Sequence, residues 1–140
     1  MQEDKIAHYR ETQIKTASKG KLVVILYDGL LRFLDLALEN LPKKKYDVVN
    51  NNIIKAQDII SELSMALNME AGEISDKLLS IYSFLNMKLI EGNVQKQTEP
   101  ILFVRKMVCD LRESWNKIAN QGSIMPIEDM KKEGGIDVAG

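Results

Sequence analysis

The strongest constraint on the fold is a repeat of apolar residues between Pro42 and Gly72. The apolar positions there alternate three and four residues apart, and they are Tyr46, Val49, Ile53, Ala56, Ile60, Leu63 and Leu67. Heptad spacing of this kind places side chains on one face of an α-helix, and no strand has that period. Gly72 is predicted to take the left-handed conformation that commonly ends a helix.

The stretch SKGKLVVILYDGLL, residues 18–31, raises three interpretations: a buried strand ending at an aspartate, a phosphate-binding loop, or the start of a helix. The P-loop motif G-x-x-x-x-G-K-[S/T] is not matched around Gly20. At 100° per residue the polar residues of 18–41 form one narrow stripe, made of Lys21, Asp28, Arg32, Asp35 and Glu39. The segment is therefore predicted to be a helix capped by Ser18. Its predicted core face lies opposite the stripe and comprises Val23, Leu26, Leu30, Phe33, Ala37 and Leu41.

Two more helices are predicted from the same period. The core face of the third consists of Ile74, Leu78, Ile81 or Tyr82, Leu85, Leu89 and Gly92. The fourth is predicted to begin near Thr98 with Pro100 at its first helical position, and to end at Gly122. Its core stripe is Val104, Val108, Leu111, Trp115 and Ile118. Short connections between four helices predict an all-α fold, an antiparallel four-helix bundle over residues 1–122, with a short N-terminal segment and a flexible C-terminal tail at 123–140.

Charge and composition exclude several function classes. The chain of 140 residues has 19 basic and 20 acidic side chains, so there is no basic excess for nucleic acid or an anionic membrane. The N-terminus lacks the apolar core of a signal peptide, and charged residues interrupt the longest apolar stretch. We therefore expect a cytoplasmic protein that neither spans nor binds a membrane.

Catalytic and metal-binding sets are missing from the sequence. His8 is the single histidine, Asp28 has no acidic neighbour on its helix turn, and Asp110 beside Cys109 disfavours a reactive thiolate. We predict no enzyme activity, no metal and no cofactor. An enzyme using Asp28 and Lys21 is the weakest alternative.

The predicted helices carry more apolar residues than one bundle core needs. The surplus positions are Val24, Ile25, Leu31 and Leu36 on the first helix, Leu79, Phe84, Met87 and Ile90 on the third, and Leu102 and Cys109 on the fourth. Surplus apolar surface on a soluble protein usually marks a partner site. The alternative is a wide core covered in part by the terminal segments.

Short motifs in all four helices resemble the flagellar export chaperone FliS family over about residues 9–118. In the first part of the chain they are Tyr9-Arg10-Glu11-Thr12-Gln13-Ile14, Thr16-Ala17-Ser18, Gly20-Lys21-Leu22 and Leu26-Tyr27-Asp28-Gly29. Further along they are Ala56-Gln57, Glu62-Leu63, Leu67-Asn68-Met69-Glu70, Gly72-Glu73-Ile74, Leu111-Arg112-Glu113 and Trp115. Their common order and spacing make the resemblance specific.

The resemblance implies a cytoplasmic chaperone that binds the C-terminal segment of flagellin. Such a chaperone prevents premature polymerisation and delivers flagellin to the flagellar type III export apparatus, where export-gate components are further partners. It also implies a homodimer in the free state, and neither ATP nor metal. The alternative function is a helical-bundle homodimer with a structural or regulatory interaction role.

Residues expected to contact flagellin come from the N-terminal segment and from helix faces turned away from the predicted core. They are Tyr9, Ile14, Val24, Tyr27, Leu31, Tyr82 and Met87. Asp28 and Gly29 belong to the family signature, and two roles stay open for them. In the first, both residues border the binding surface. In the second, Asp28 is a polar surface residue and Gly29 allows a close contact between helices.

Overall fold

The computed structural model describes residues 19–67 and 72–120, with the side chains of residues 19, 118 and 119 excepted. The helices of this part of the chain are α1 (Lys19–Asn40), α2 (Tyr46–Met65), α3 (Glu73–Gln95) and α4 (Thr98–Asn120). They confirm the predicted all-α helical bundle. The predicted cap Ser18, the side chain of Ile118, Gly122 and the predicted tail lie outside the described residues.

Each helix packs against two neighbours. Helix α1 contacts α2 and α4, and α3 contacts the same two helices, so the four are arranged around one core in chain order. Two hydrogen bonds show that α2 and α3 are antiparallel: Asn50 accepts from Asn93 (2.8 Å), and Asn86 accepts from Gln57 (2.9 Å). The later residue of α2 is thus bonded to the earlier residue of α3. Both pairs are one heptad apart on each helix, which is the repeat expected of neighbouring helices with a shared seam.

The core of the bundle follows the predicted heptads in three of the four helices. Predicted positions that are buried include Val49, Ile53, Ala56, Ile60 and Leu63 on α2, Leu78, Tyr82, Leu85 and Leu89 on α3, and Val104, Val108 and Leu111 on α4. Helix α4 also buries Ile101, which the predicted stripe omitted. Tyr46, at the first position of α2, is exposed instead, and Leu67 lies beyond the end of that helix.

Two predicted helix ends are displaced. Gly72 does have positive φ (67°), but it immediately precedes α3, and α2 has already ended at Met65. Pro100 is the third residue of α4, which begins at Thr98. A proline is still tolerated there because the first-turn N–H groups of a helix have no intrahelical acceptor.

The predicted core face of α1 is rotated from the observed one. The buried apolar residues of α1 are Val24, Tyr27, Leu30, Leu34 and Ala37, and Leu41 is buried just after its end, whereas Val23, Leu26 and Phe33 are only partly buried. The reason is that the polar stripe points partly toward α4 and only partly toward solvent. Asp28 and Asp35 form ion pairs with arginines of α4. The stripe is thus turned toward α4, and the core face is turned with it.

No helix within residues 19–67 and 72–120 is both long enough and apolar enough to cross a membrane.

Candidate functional site

The contact between α1 and α4 carries two ion pairs. Arg105 donates to Asp35 at 2.5 Å, and Arg112 donates to Asp28. The two aspartates are one heptad apart, as are the two arginines, and the reversed order shows that α1 and α4 are antiparallel. We call these four residues the charged seam. The hydrogen bond to its aspartate raises the pKa of each arginine.

The signature residues Asp28 and Gly29 both have structural contacts. Asp28 is an exposed member of the polar stripe, as predicted, and is paired with Arg112. A Cβ added at Gly29 would lie 3.2 Å from Cδ1 of Ile59, so the glycine permits α1 and α2 to approach closely. These contacts agree with the structural alternative for both residues.

Three of the predicted flagellin contacts are buried inside the bundle. Val24 is 8 % exposed, Tyr27 0 % and Tyr82 2 %. The prediction that Val24 and Tyr27 lie on the side facing away from the core is wrong, because α1 is rotated as described above. Leu31 is partly buried and packs against the core. Tyr9 and Ile14 lie outside the described residues.

Tyr27 and Tyr82 form a polar contact across the core. Their hydroxyl oxygens are 2.6 Å apart, which links α1 to α3. Burial raises the pKa of Tyr27, and the neighbouring Tyr82 raises it further; burial also raises the pKa of Tyr82. The indole N–H of Trp115 makes no hydrogen bond of acceptable geometry within the described part of the chain, so it opposes the rise in the pKa of Tyr27 only weakly. Both hydroxyls therefore stay protonated and bonded to each other.

The exposed apolar residues are concentrated on α3. Met87 (66 % exposed), Ile90 (46 %) and Val94 (77 %) are spaced three and four residues apart, so they share one outer face. Phe84 lies three residues before Met87, and Leu79 eight residues before it. We call these five residues the α3 apolar face. Of the predicted contacts that the structure describes, Met87 is the one that lies on it.

A ring contact joins this face to α4. Phe84 and Phe103 meet edge to face, with centroids 5.8 Å apart and planes at 77°. The ammonium group of Lys88 is 5.6 Å from the centroid of Phe84 and 6.0 Å from that of Phe103. Both rings remain more than two-fifths exposed, at 44 % and 43 %. We call Phe84, Lys88 and Phe103 the aromatic seam.

Aromatic rings and a methionine that are half exposed on neighbouring helices can accept an apolar segment of another chain. Aromatic residues and Met are enriched at the centres of protein interfaces. An aromatic ring buries a large area, and the flexible Met side chain adapts to an irregular partner surface. Lys88 adds a cation at the edge of the rings, where it also pairs with Glu91 of the same helix at 3.2 Å. Among the described residues no group of three or more His, Cys, Asp or Glu side chains is arranged to hold a metal ion.

Comparison with known proteins identifies the family. A family model described as flagellar protein FliS matches residues 1–122. The chain belongs to this family. The flagellar secretion chaperone FliS of Bacillus subtilis (strain 168) is 32% identical over 109 residues, covering 78% of this chain and 81% of the relative. That of Salmonella typhimurium is 26% identical over 115 residues, with 81% and 85% covered. The flagellar secretion chaperone FliSB of Pseudomonas aeruginosa is 26% identical over 111 residues, with 79% and 88% covered.

Membership of the FliS family confirms the resemblance found in the sequence motifs. The helical bundle described here is thus that of a flagellar secretion chaperone family member. Phe103 and Val94 belong to the exposed apolar surface but were not among the predicted contacts. Their helical positions relative to Val104 and Leu89, which are buried, would have identified both as surface residues.

Proposed function

We propose that this chain is a cytoplasmic chaperone that binds the C-terminal segment of flagellin, prevents its premature polymerisation and delivers it to the flagellar type III export apparatus. The observation that carries the proposal is the contiguous apolar surface formed by the α3 apolar face and the aromatic seam. Family membership supports it, since the relatives are secretion chaperones.

The binding mode follows from the physical chemistry of the client. A flagellin segment that is unfolded before assembly exposes apolar side chains that its own short helices cannot bury. Packing them against Phe84, Met87 and Phe103 offsets the ordering of the segment, which takes about 2–5 kcal/mol. While the segment is held there, the surface it uses to join other flagellins is covered. No chemical step is required.

The predicted contacts are revised in this proposal. Met87 stays as a direct contact, and Tyr9 and Ile14 stay predicted contacts from the N-terminal segment. Val24, Tyr27 and Tyr82 support the bundle from inside instead of contacting flagellin. Leu31, which is partly buried against the core, stays a predicted contact.

The decisive experiment measures stoichiometry and affinity together. The full chain is mixed with a peptide of the flagellin C-terminal segment at micromolar concentration and examined by size-exclusion chromatography with light scattering and by calorimetry. We expect a one-to-one complex and the loss of any homodimer. A homodimer that persists unchanged beside unbound peptide would instead favour the alternative function, self-association through the same surface.

A matched pair of variants on α4 locates the site. Phe103→Ser removes a ring of the aromatic seam, and we expect flagellin affinity to fall at least tenfold, the loss that marks an interface hot spot. Leu102→Ser removes a neighbouring side chain of similar exposure (48 % against 43 %) that makes no ring contact with α3. We expect it to change affinity less than threefold. Equal effects of the two variants would contradict the assignment of the site to the aromatic seam.

A further inference from the structure

We propose that residues 124–130 of this chain, IMPIEDM, dock on its own aromatic seam and compete there with the flagellin segment, an inference that rests on the proposed function. The segment lies beyond the part of the chain that the family model matches, which is residues 1–122. The competition is therefore proposed for this chain from its own residues and is not carried over from the family.

The surface that receives the segment extends along the side of α4 that faces α3. Phe103 is exposed there, and Met107, four residues later, is partly buried against the core. Residues four apart on a helix lie on the same side, so the two form a strip that runs from the aromatic seam toward the C-terminal end of α4. Residues 121–140 follow that end, Asn120, in the sequence.

The length of the connecting chain matches this distance. Phe103 lies 17 residues before Asn120 on α4, which is about 26 Å along the helix axis at 1.5 Å per residue. Ile127 and Met130 follow Asn120 by seven and ten residues. An extended chain covers roughly 3.3 Å per residue, so these two side chains reach about 23 and 33 Å. Met130 can thus reach the rings, while Ile127 falls short of them, over the part of the strip between Met107 and Phe103.

The composition of the segment suits this surface. Four of its seven residues are apolar besides the proline, and they are Ile124, Met125, Ile127 and Met130. Methionine adapts to irregular surfaces and makes favourable contacts with aromatic ring edges. Glu128 and Asp129 lie between Ile127 and Met130. They would come near Lys88, whose ammonium lies over both rings and is already paired with Glu91 at 3.2 Å, so they would share or replace that pairing.

The expected strength of the competition follows from tethering. A short linker gives an effective concentration in the millimolar range, so even a contact with a millimolar dissociation constant occupies about half of the molecules. Apparent client affinity is reduced by the fraction of the protein that is open. Releasing the segment should therefore raise flagellin affinity about two- to tenfold.

The first test observes docking without flagellin. Methionine methyl groups are isotopically labelled in the full chain, and contacts are measured by nuclear Overhauser effects. We expect contacts from the methyl group of Met130 to the ring protons of Phe84 or Phe103, with the same intensity relative to the methyl signal itself after tenfold dilution. Methyl groups at random-coil shifts with no ring contact overturn the proposal. So do contacts that disappear on dilution, because they would arise from a second copy.

The second test measures competition. Ile127→Ser/Met130→Ser in the full chain should raise affinity for the flagellin peptide two- to tenfold. The control Ile136→Ser/Val138→Ser removes two apolar residues beyond Gly134 and Gly135, and should leave affinity unchanged. Equal affinities in all three proteins overturn the proposal. A peptide that binds none of them refutes the proposed function and the competition with it, while the methyl contacts still report whether the segment docks.

Discussion

Helix α4 packs against α1 on one side and α3 on the other, and the side chains at the two contacts differ in kind. At the charged seam, arginine and aspartate side chains pair across the surface of the bundle. At the aromatic seam, two half-exposed rings meet beneath a lysine. In the charged seam each arginine is paired with an aspartate, whereas the aromatic seam leaves apolar area in contact with water. Only at the aromatic seam would a partner gain free energy by removing apolar area from water.

The largest effect on stability is expected where α3 turns into α4 and sets the position of the aromatic seam. A Cβ at Gly92 would lie 2.8 Å from Cγ1 of Ile101 and 3.3 Å from the backbone oxygen of Gln97. We expect Gly92→Ala to lower the free energy of unfolding by about 1–2 kcal/mol, since overpacking outweighs the gain in helix propensity. Urea denaturation measures the change.

The control for this variant is Gly29→Ala on α1. Its Cβ would meet only the terminal methyl group of Ile59 at 3.2 Å, which can shift by a few tenths of an ångström. We expect a change within about 0.5 kcal/mol, because the helix propensity of alanine offsets the small displacement. If Gly29→Ala destabilised the protein as much as Gly92→Ala, the α3–α4 turn would not be the more tightly packed contact.

A second, smaller effect concerns the tyrosine pair, which joins a helix of the charged seam to a helix of the aromatic seam. Tyr82→Phe leaves the hydroxyl of Tyr27 buried without its partner, so we expect a loss of about 1 kcal/mol at neutral pH. The double variant with Tyr27→Phe should lose less than the sum of the two single variants, because it leaves no orphaned hydroxyl. Additive losses would show that the two hydroxyls do not depend on each other.

The same pair predicts a pH dependence. Both tyrosines have a folded-state pKa above the ordinary value of 10.0, so the folded protein keeps protons that the unfolded chain releases. Their contribution to stability is therefore complete below pH 10 and declines as the pH rises above it. Thermal unfolding between pH 8 and pH 11 should show a shallower alkaline decline in the double Phe variant than in the natural sequence.

The smallest effect is expected at the charged seam itself. Asp35 and Arg105 are 52% and 41% exposed, so water and salt screen their attraction. We expect Asp35→Asn to lower the free energy of unfolding by at most about 0.5 kcal/mol in low salt, and by less in 1 M NaCl. Flagellin affinity should stay within twofold. A large loss of affinity would show that the client binds at the charged seam, contrary to the assignment of the site to the aromatic seam.

Periodicity was sufficient to predict the helices and most of the core. In α2, every predicted position from Val49 to Leu63 is buried, because a heptad repeat fixes which face of a helix packs inward. In α1 the same reasoning misplaced Tyr27 and Val24. It assumed that charged residues face solvent, whereas Asp28 and Asp35 face the arginines of a neighbouring helix.

The candidate site was predictable only in part. The surplus of apolar residues on α3 is visible in the sequence, and Phe84, Met87 and Ile90 are exposed as that surplus indicated. The contact of Phe84 with Phe103 was not predictable, because it depends on the register between α3 and α4, that is, on how far the two helices are offset along their axes. The tight contact of Gly92 with Ile101 fixes that register. The spacing of apolar residues within one helix carries no information about such a contact between two helices.

A tryptophan near the C-terminal end of α4 gives the chain a built-in optical probe. Trp115 is its single tryptophan, and it packs against the core beside the tyrosine pair. It is 12 residues from Phe103 on α4, or about 18 Å. Indole emission therefore reports the hydration of the C-terminal part of α4, at a distance from the aromatic seam. Fluorescence can time the opening of that end separately from the arrival and departure of a client.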